Sequence, residues 1–196
     1  MNKRNLSITL LLLCLCFSWG AFAQQDKAVA KKLKGLDKYI ERSMKDLKVP
    51  GVAMVIVKDG KIAYKKGYGY RDVAKKLPVT PQTMFAIGSS SKAFTATTVC
   101  QLVDDGVLDL DKPLKQYLPD FKLYDDYVTN KMTPRDLLCH RSGLPRHDLA
   151  WYGSDYSREE LYKSLHHLEA TLGFREGWQY QNLMFMTAGY LGMKQK

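Results

Sequence analysis

Between residues 27 and 47 the apolar side chains Val29, Leu33, Leu36, Ile40, Met44 and Leu47 recur at steps of three and four. That is one stripe of a single amphipathic helix, and Pro50-Gly51 stop it. The pattern then turns strand-like. GVAMVIVK and KIAYKKGYGY flank Asp59-Gly60, the strongest short signal for a two-residue hairpin. A lone hairpin is marginal in water, so its faces and edges call for further strands or a covering helix. After Pro81 helical periods return between punctuated loops. Apolar residues run along 90–105, with Gly106 as the stop. MTPRDLLCH offers Thr133 as cap and Pro134 at the first helical position. SREELYKSLHHL opens with a Ser157–Glu160 capping box. NLMFMTAGYLGM is apolar nearly all round and must be buried against something.

The chain of 196 residues is long enough for one domain with a sizeable core, and its 45% hydrophobic and 26% charged residues exclude a disordered chain. The formal charge of +10 gathers at Lys31, Lys32 and Lys34 and at Lys65, Lys66, Lys75 and Lys76. A basic balance can serve nucleic acid or an anionic membrane or wall surface. No RNA-binding, zinc-finger or helix-turn-helix signature accompanies it, so solvated lysine faces are the reading and no nucleic-acid partner is expected. MNKRN followed by LSITLLLLCLCFSWGAF, with a small-x-small site ending at Ala23, reads as a cleaved signal peptide over 1–23. The apolar run falls short of the ~20 residues a membrane span needs. The expected product is periplasmic or secreted, a domain over 24–196 whose helix and hairpin (24–86) precede a helical region (87–196).

The mature chain keeps Cys100 and Cys139, each in an amphipathic helix, and both are expected to be buried free thiols. His166 and His167 are neighbours on a helix and point in different directions. With no Cys/His spacing of a metal site, neither metal nor cofactor is expected.

Residues 87–95 read IGSSSKAFT. A helix brings positions i and i+3 onto one face, and only Ser89 has a lysine, Lys92, at that spacing. A serine hydroxyl is a feeble nucleophile until a neighbouring base takes its proton. Lysine can be that base when burial lowers its pKa, here through the apolar flanks Phe85, Ile87 and Phe94. Ser90 and Ser91 are left to cap the helix or to fill space. In a chain with ten serines about one Ser-x-x-Lys arises by chance, so the spacing does not settle the matter alone. A second element is Tyr180-Gln181-Asn182. In an extended segment residues i and i+2 share a side, so a phenol and an amide project into one cleft. Tyrosine can relay a proton to a leaving group, and asparagine can hold lysine and a substrate amide together while also capping the next helix. His140 invites a pairing with Ser142 or Ser89. However, Ser142-Gly143-Leu144-Pro145 reads as a turn, and no G-x-S-x-G elbow exists, so its role is structural.

IGSSSKAFT, LLCHRSGLPRHD, and YQN followed by AGYLG, in this order, resemble the serine β-lactamase and penicillin-binding-protein superfamily, in its class C-like branch. The likeness runs from about residue 36 to the end. It implies an α+β, β-lactamase/transpeptidase-like fold and hydrolysis through an acyl-enzyme at Ser89. Lys92 would be the activating base, Tyr180 the other catalytic residue and Asn182 the substrate-binding amide. Whether Lys92 or Tyr180 takes the first proton stays open. A β-lactam, a D-amino peptide or an ester would each suit as the small-molecule or peptide substrate, with the cell wall as a further partner. The resemblance also implies a third motif, His/Lys-x-Gly, on a later strand. None follows Asn182, which reads as an N-terminal portion lacking the C-terminal strands. Apolar surface on the hairpin and on 183–193 would then lack partners. Glu176-Gly177 replaces a frequent Pro-Gly before the tyrosine motif. The competing readings are a non-catalytic peptidoglycan- or peptide-binding module and an inactive fragment.

Overall fold

The computed structural model describes residues 27–195, in two compact units that divide after Phe85. The predicted signal peptide lies outside the described residues. The lysine excess sits in the first unit, while the second carries nearly balanced charge.

In the first unit, α1 (Lys27–Lys32) and α2 (Leu36–Asp46) replace the single helix that the apolar stripe predicts. Gly35, at φ +90°, takes the left-handed conformation that interrupts it. The chain also stops α2 before Pro50 is reached. Lys48 is left-handed at φ +54°, Val49 N–H reaches Met44 O at 2.9 Å, and Lys48 N–H reaches Lys45 O at 3.3 Å. These two bonds form a Schellman motif, with lysine where glycine is usual. Strands β1 (Gly51–Lys58) and β2 (Lys61–Asp72) pair antiparallel across Asp59-Gly60, both at positive φ as a type I′ turn requires. Ile56 faces Tyr64 while Val57 faces Ile62, so Ala63 is the extra residue of a bulge. A two-residue β3 (Leu77–Pro78) extends the sheet to the order β1-β2-β3. On one face α2 buries Ile40 and presents Asp37 to β2. Its carboxylate accepts from Tyr64 (2.6 Å), Tyr68 (2.7 Å) and Lys66 (2.9 Å). These donors, the two phenols foremost, hold Asp37 far below the usual carboxylate range. The other face leaves Val55, Val57 and Ile62 exposed, as the bare hairpin led one to expect.

The second unit is built around its last helix, α7 (Asn182–Lys194), which packs against α3 (Ser91–Asp104), α5 (Pro134–Leu138) and α6 (Arg158–Ser164). Between α3 and α5 lies the short α4 (Asp126–Lys131). Leu183, Met184, Thr187, Ala188, Tyr190 and Leu191 of α7 are buried, and Tyr190 stacks on Tyr162 at 4.4 Å. The expected lack of partners for 183–193 is therefore corrected: helices of the same unit cover that segment, and Met193 is its large apolar side chain left exposed. Fully buried Leu114, Phe121, Met132, Leu137 and Leu165 complete the core. Gly106 ends α3 in a second Schellman motif, with Val107 N–H on Leu102 O and Gly106 N–H on Val103 O, both at 2.9 Å. The caps predicted at Thr133 and Ser157 are in place. Thr133 opens α5 in a capping box with Asp136, and Ser157 opens α6 in one with Glu160.

Both cysteines depart from expectation, for Cys100 and Cys139 are exposed. Val99 takes the buried position of α3, which turns Cys100 outward, and α5 ends at Leu138, so Cys139 lies past its stripe. Among the described residues no helix is long and apolar enough to cross a membrane, and no group of three His, Cys, Asp or Glu is placed to hold a metal ion.

Candidate active site

Ser89, Lys92, Tyr180 and Asn182 meet within the second unit. Ser89 is the middle residue of a 3-10 turn over Gly88–Ser90 that leads directly into α3. Such a turn nearly eclipses positions i and i+3, and Lys92 Nζ donates to Ser89 Oγ at 3.2 Å. The caps expected of Ser90 and Ser91 are not formed: Ser90 occupies the N-cap of α3 in helical conformation, and its side chain makes no capping bond. The burial expected from Phe85, Ile87 and Phe94 is also missing, because all three are exposed. Lys92 lies instead over aromatic rings, 4.7 Å from the centroid of Tyr180 and 5.4 Å from that of Phe185.

Tyr180 and Asn182 alternate about Gln181, as an extended segment dictates. Gln181 is fully buried and serves as the N-cap of α7, its Oε1 accepting from Leu183 N–H at 2.8 Å. Its Nε2 donates to Pro145 O at 2.5 Å. The cap expected of Asn182 is thus supplied by its neighbour. Asn182 is the first helical residue, and its Oδ1 accepts from Lys92 Nζ at 2.6 Å. On the other side of Gln181, Tyr180 Oη lies 2.5 Å from Ser89 Oγ. The Lys92 ammonium, aided by the hydrogen bond to Ser89, holds the Tyr180 phenol below its ordinary pKa of 10.0.

The segment carrying these groups is fixed by the HRSG stretch. His140, left-handed at φ +57°, accepts Gln179 N–H on its carbonyl at 2.9 Å and Gln181 N–H on Nδ1 at 3.0 Å. Its ring packs 4.6 Å from Tyr180 and 5.1 Å from Phe185. Burial, with the nearby Lys92 charge, pushes His140 below 6.5, so it is neutral and free to accept. Arg141 O accepts Arg175 N–H, and Gly143 O accepts the N–H groups of Thr171 and Leu172. Ser142 is buried, its Oγ accepting from Leu144 N–H at 3.3 Å, far from nucleophilic duty. The frame is anchored from behind by Asp136, whose carboxylate accepts Arg175 Nε at 2.9 Å and Nη2 at 2.7 Å.

Sequence reasoning missed Arg146. Its guanidinium lies 5.1 Å from the Tyr180 ring centroid, and its Nε donates to Asp148 Oδ2 at 2.7 Å. The signal was its place six residues after His140 in LLCHRSGLPRHD, but nothing in that stretch says that the chain folds back over Tyr180. What the assembled groups can do is move a proton: a hydroxyl touches a phenol of lowered pKa and an ammonium that an amide carbonyl holds in place.

The profile of the family described as Beta-lactamase matches residues 36–192. The Unguisins hydrolase ungD' of Aspergillus campestris (strain IBT 28561) is 38% identical over 153 residues, covering 73% of this chain and 28% of that protein. The octameric penicillin-binding protein homologue from Pyrococcus abyssi superposes with a TM-score of 0.70 at 32% identity, over 83% of this chain and 39% of that one. A D-amino acid amidase from Ochrobactrum anthropi SV3 gives a TM-score of 0.66 at 28% identity, over 85% of this chain and 46% of its own. The chain therefore spans under half the length of each of these relatives, and its helices with a three-stranded antiparallel sheet correspond to part of a β-lactamase/transpeptidase-like fold.

Proposed function

This chain belongs to the beta-lactamase family, and from that premise we propose that it is an exported serine hydrolase forming an acyl-enzyme at Ser89. Its substrate is an amide, a β-lactam or an ester. One observation carries the reading: Ser89 Oγ lies 2.5 Å from Tyr180 Oη and 3.2 Å from Lys92 Nζ, while Lys92 is held by Asn182.

The short distance and the lowered pKa support Tyr180 as the group that receives the serine proton, through its phenolate. Lys92 stabilises that phenolate, and Asn182 fixes Lys92. Ser89 Oγ bonds to the carbonyl carbon, the carbon–nitrogen or carbon–oxygen bond to the leaving group breaks, and Tyr180 passes its proton to the departing atom. Water then hydrolyses the ester at Ser89, releasing the acid and restoring the hydroxyl. The likeness to a D-amino acid amidase supports amide substrates for this chain.

A fluorescent penicillin and a fluorescent fluorophosphonate test the reading. Label lost in Ser89→Ala and Lys92→Ala but retained in Ser90→Ala and Ser91→Ala is the expected result. Full labelling of the lysine variant refutes the assignment, and binding without covalent label points to a non-catalytic module. Export is tested by sequencing the amino terminus of the protein recovered outside the cytoplasm, which should begin at Gln24.

A further inference from the structure

The turn that fixes Gln181 through Pro145 O also walls a cavity of about 230 Å³, to which it contributes Ser142 and Leu144. Much of the wall is apolar. Leu123, Val128 and Leu144 line it and are buried, and Ala170 adds a small side chain from the segment after α6. At ~30 Å³ per water molecule the space holds about seven heavy atoms. That is below the range of drug-sized ligands, and it suits a short organic chain. Close-packed interiors leave few voids of this size.

Asp125 and Glu169 border the cavity, and no lysine, arginine or histidine lines it. Asp125 Oδ1 caps α4 by accepting Val128 N–H at 2.9 Å, which leaves Oδ2 without a partner among the described residues. The Glu169 carboxylate has no such partner on either oxygen, although the Glu169 backbone carbonyl meets His147 Nε2 at 3.0 Å. Ser142, 2% exposed, adds a hydroxyl. Its Oγ accepts Leu144 N–H at 3.3 Å, and its hydrogen has no acceptor among the described residues. A buried hydroxyl in that state is completed by water or by a ligand, so the cavity is a place for an occupant and not a mere packing gap.

We infer that this cavity is a binding site for a short-chain organic ammonium ion, separate from the serine centre. The aliphatic stem fills the apolar space and gains the free energy of leaving water. The ammonium carries three donors and no acceptor, and it meets the free carboxylate oxygens of Asp125 and Glu169 in charge-assisted hydrogen bonds. A carboxylate ligand of the same length is repelled by those groups, and a neutral alcohol forgoes the ion pair. A stem of about five carbons with one ammonium matches the volume. The inference does not depend on acyl transfer, because none of these residues is Ser89, Lys92, Tyr180 or Asn182.

Methyl-resolved nuclear magnetic resonance on the full chain reads affinity and place together. n-Pentylammonium should shift the methyl signals of Leu123, Val128 and Leu144 saturably. 1-Pentanol should bind about fivefold more weakly, the worth of an ion pair at a partly exposed border, and pentanoate should leave the signals unmoved. The double variant Asp125→Asn, Glu169→Gln should bind amine and alcohol alike, and asparagine can still cap α4 there. Ala170→Leu, at an exposed position outside any helix, should fill the space and abolish binding of both. No saturable shift with the amine, equal affinity of amine and alcohol for the unaltered chain, shifts centred on other methyls, or undiminished binding in Ala170→Leu overturns the inference. Ser89→Ala should bind the amine as the unaltered chain does, so this site and the hydrolase reading are judged apart.

Discussion

Replacing Asp136 by alanine should unfold the second unit more readily than almost any other change of a charged residue. The Asp136 carboxylate, with 9% of its side chain exposed, accepts four hydrogens. Two come from Thr133, from its N–H at 3.0 Å and its hydroxyl at 2.7 Å, and two come from Arg175. Truncation leaves the buried Thr133 N–H without its partner, at a cost of about 1–2 kcal/mol. Losing the two charge-assisted bonds from Arg175 adds about 1–2 kcal/mol, discounted because Arg175 is itself 45% exposed. The expected loss is about 3 kcal/mol, on the order of 10 °C in melting temperature for a domain of this size. Urea denaturation followed by far-ultraviolet circular dichroism reads it as a lowered midpoint at unchanged slope. Asp111→Ala is the control, since it removes an equally well-aligned but exposed pair with Arg135 and should barely move the midpoint. A shift in Asp136→Ala no larger than in the control would refute the view that this carboxylate ties the α5 cap to the Arg175 loop.

Tyr180→Phe should keep the fold while slowing acylation of Ser89 by roughly 10²–10⁴-fold, the usual worth of a positioned acid–base group. In the unaltered chain the acylation rate should rise with pH through a pKa below tyrosine's ordinary 10.0, and stopped-flow labelling across pH tests both statements. His140 is depressed when folded, so between its folded pKa and 6.5 the unfolded chain binds more protons. Stability is then fully present above pH 6.5, declines as pH falls from there toward the folded pKa, and levels off below it, while His140→Gln flattens the profile in denaturant titrations. Cys100 and Cys139 should both react with a thiol reagent in the native protein, as peptide mapping would show, and protection of either until denaturant is added would contradict their exposure.

Local chemistry was legible wherever a short stretch decides it alone. Asp59-Gly60 has one favourable turn, Thr133-Pro134 and Ser157–Glu160 carry their own caps, and the i, i+3 offset of Ser89 and Lys92 is helical geometry. Ends and partners were less legible. The apolar stripe of residues 29–47 continues through Gly35 without a break in period, so the interruption shows only in the backbone. Lysine is an unusual left-handed residue, which hid the stop at Lys48. Gln181 is a rarer cap than Asn182, and it is chosen because the extended segment turns its side chain inward. The contacts of Arg146 with Tyr180 and of Asp136 with Arg175 join residues more than thirty apart, and no spacing rule reaches that far.

Ser89 rests on a turn whose neighbours from 86 to 90 are all exposed, so nothing in the core leans on its side chain. Cellular quality control monitors stability and has no way to sense reactivity. A chain that had exchanged this hydroxymethyl for a methyl group would accumulate and endure as the original does. What asks for a serine at this position is the proposed acyl transfer, and not the stability of the unit.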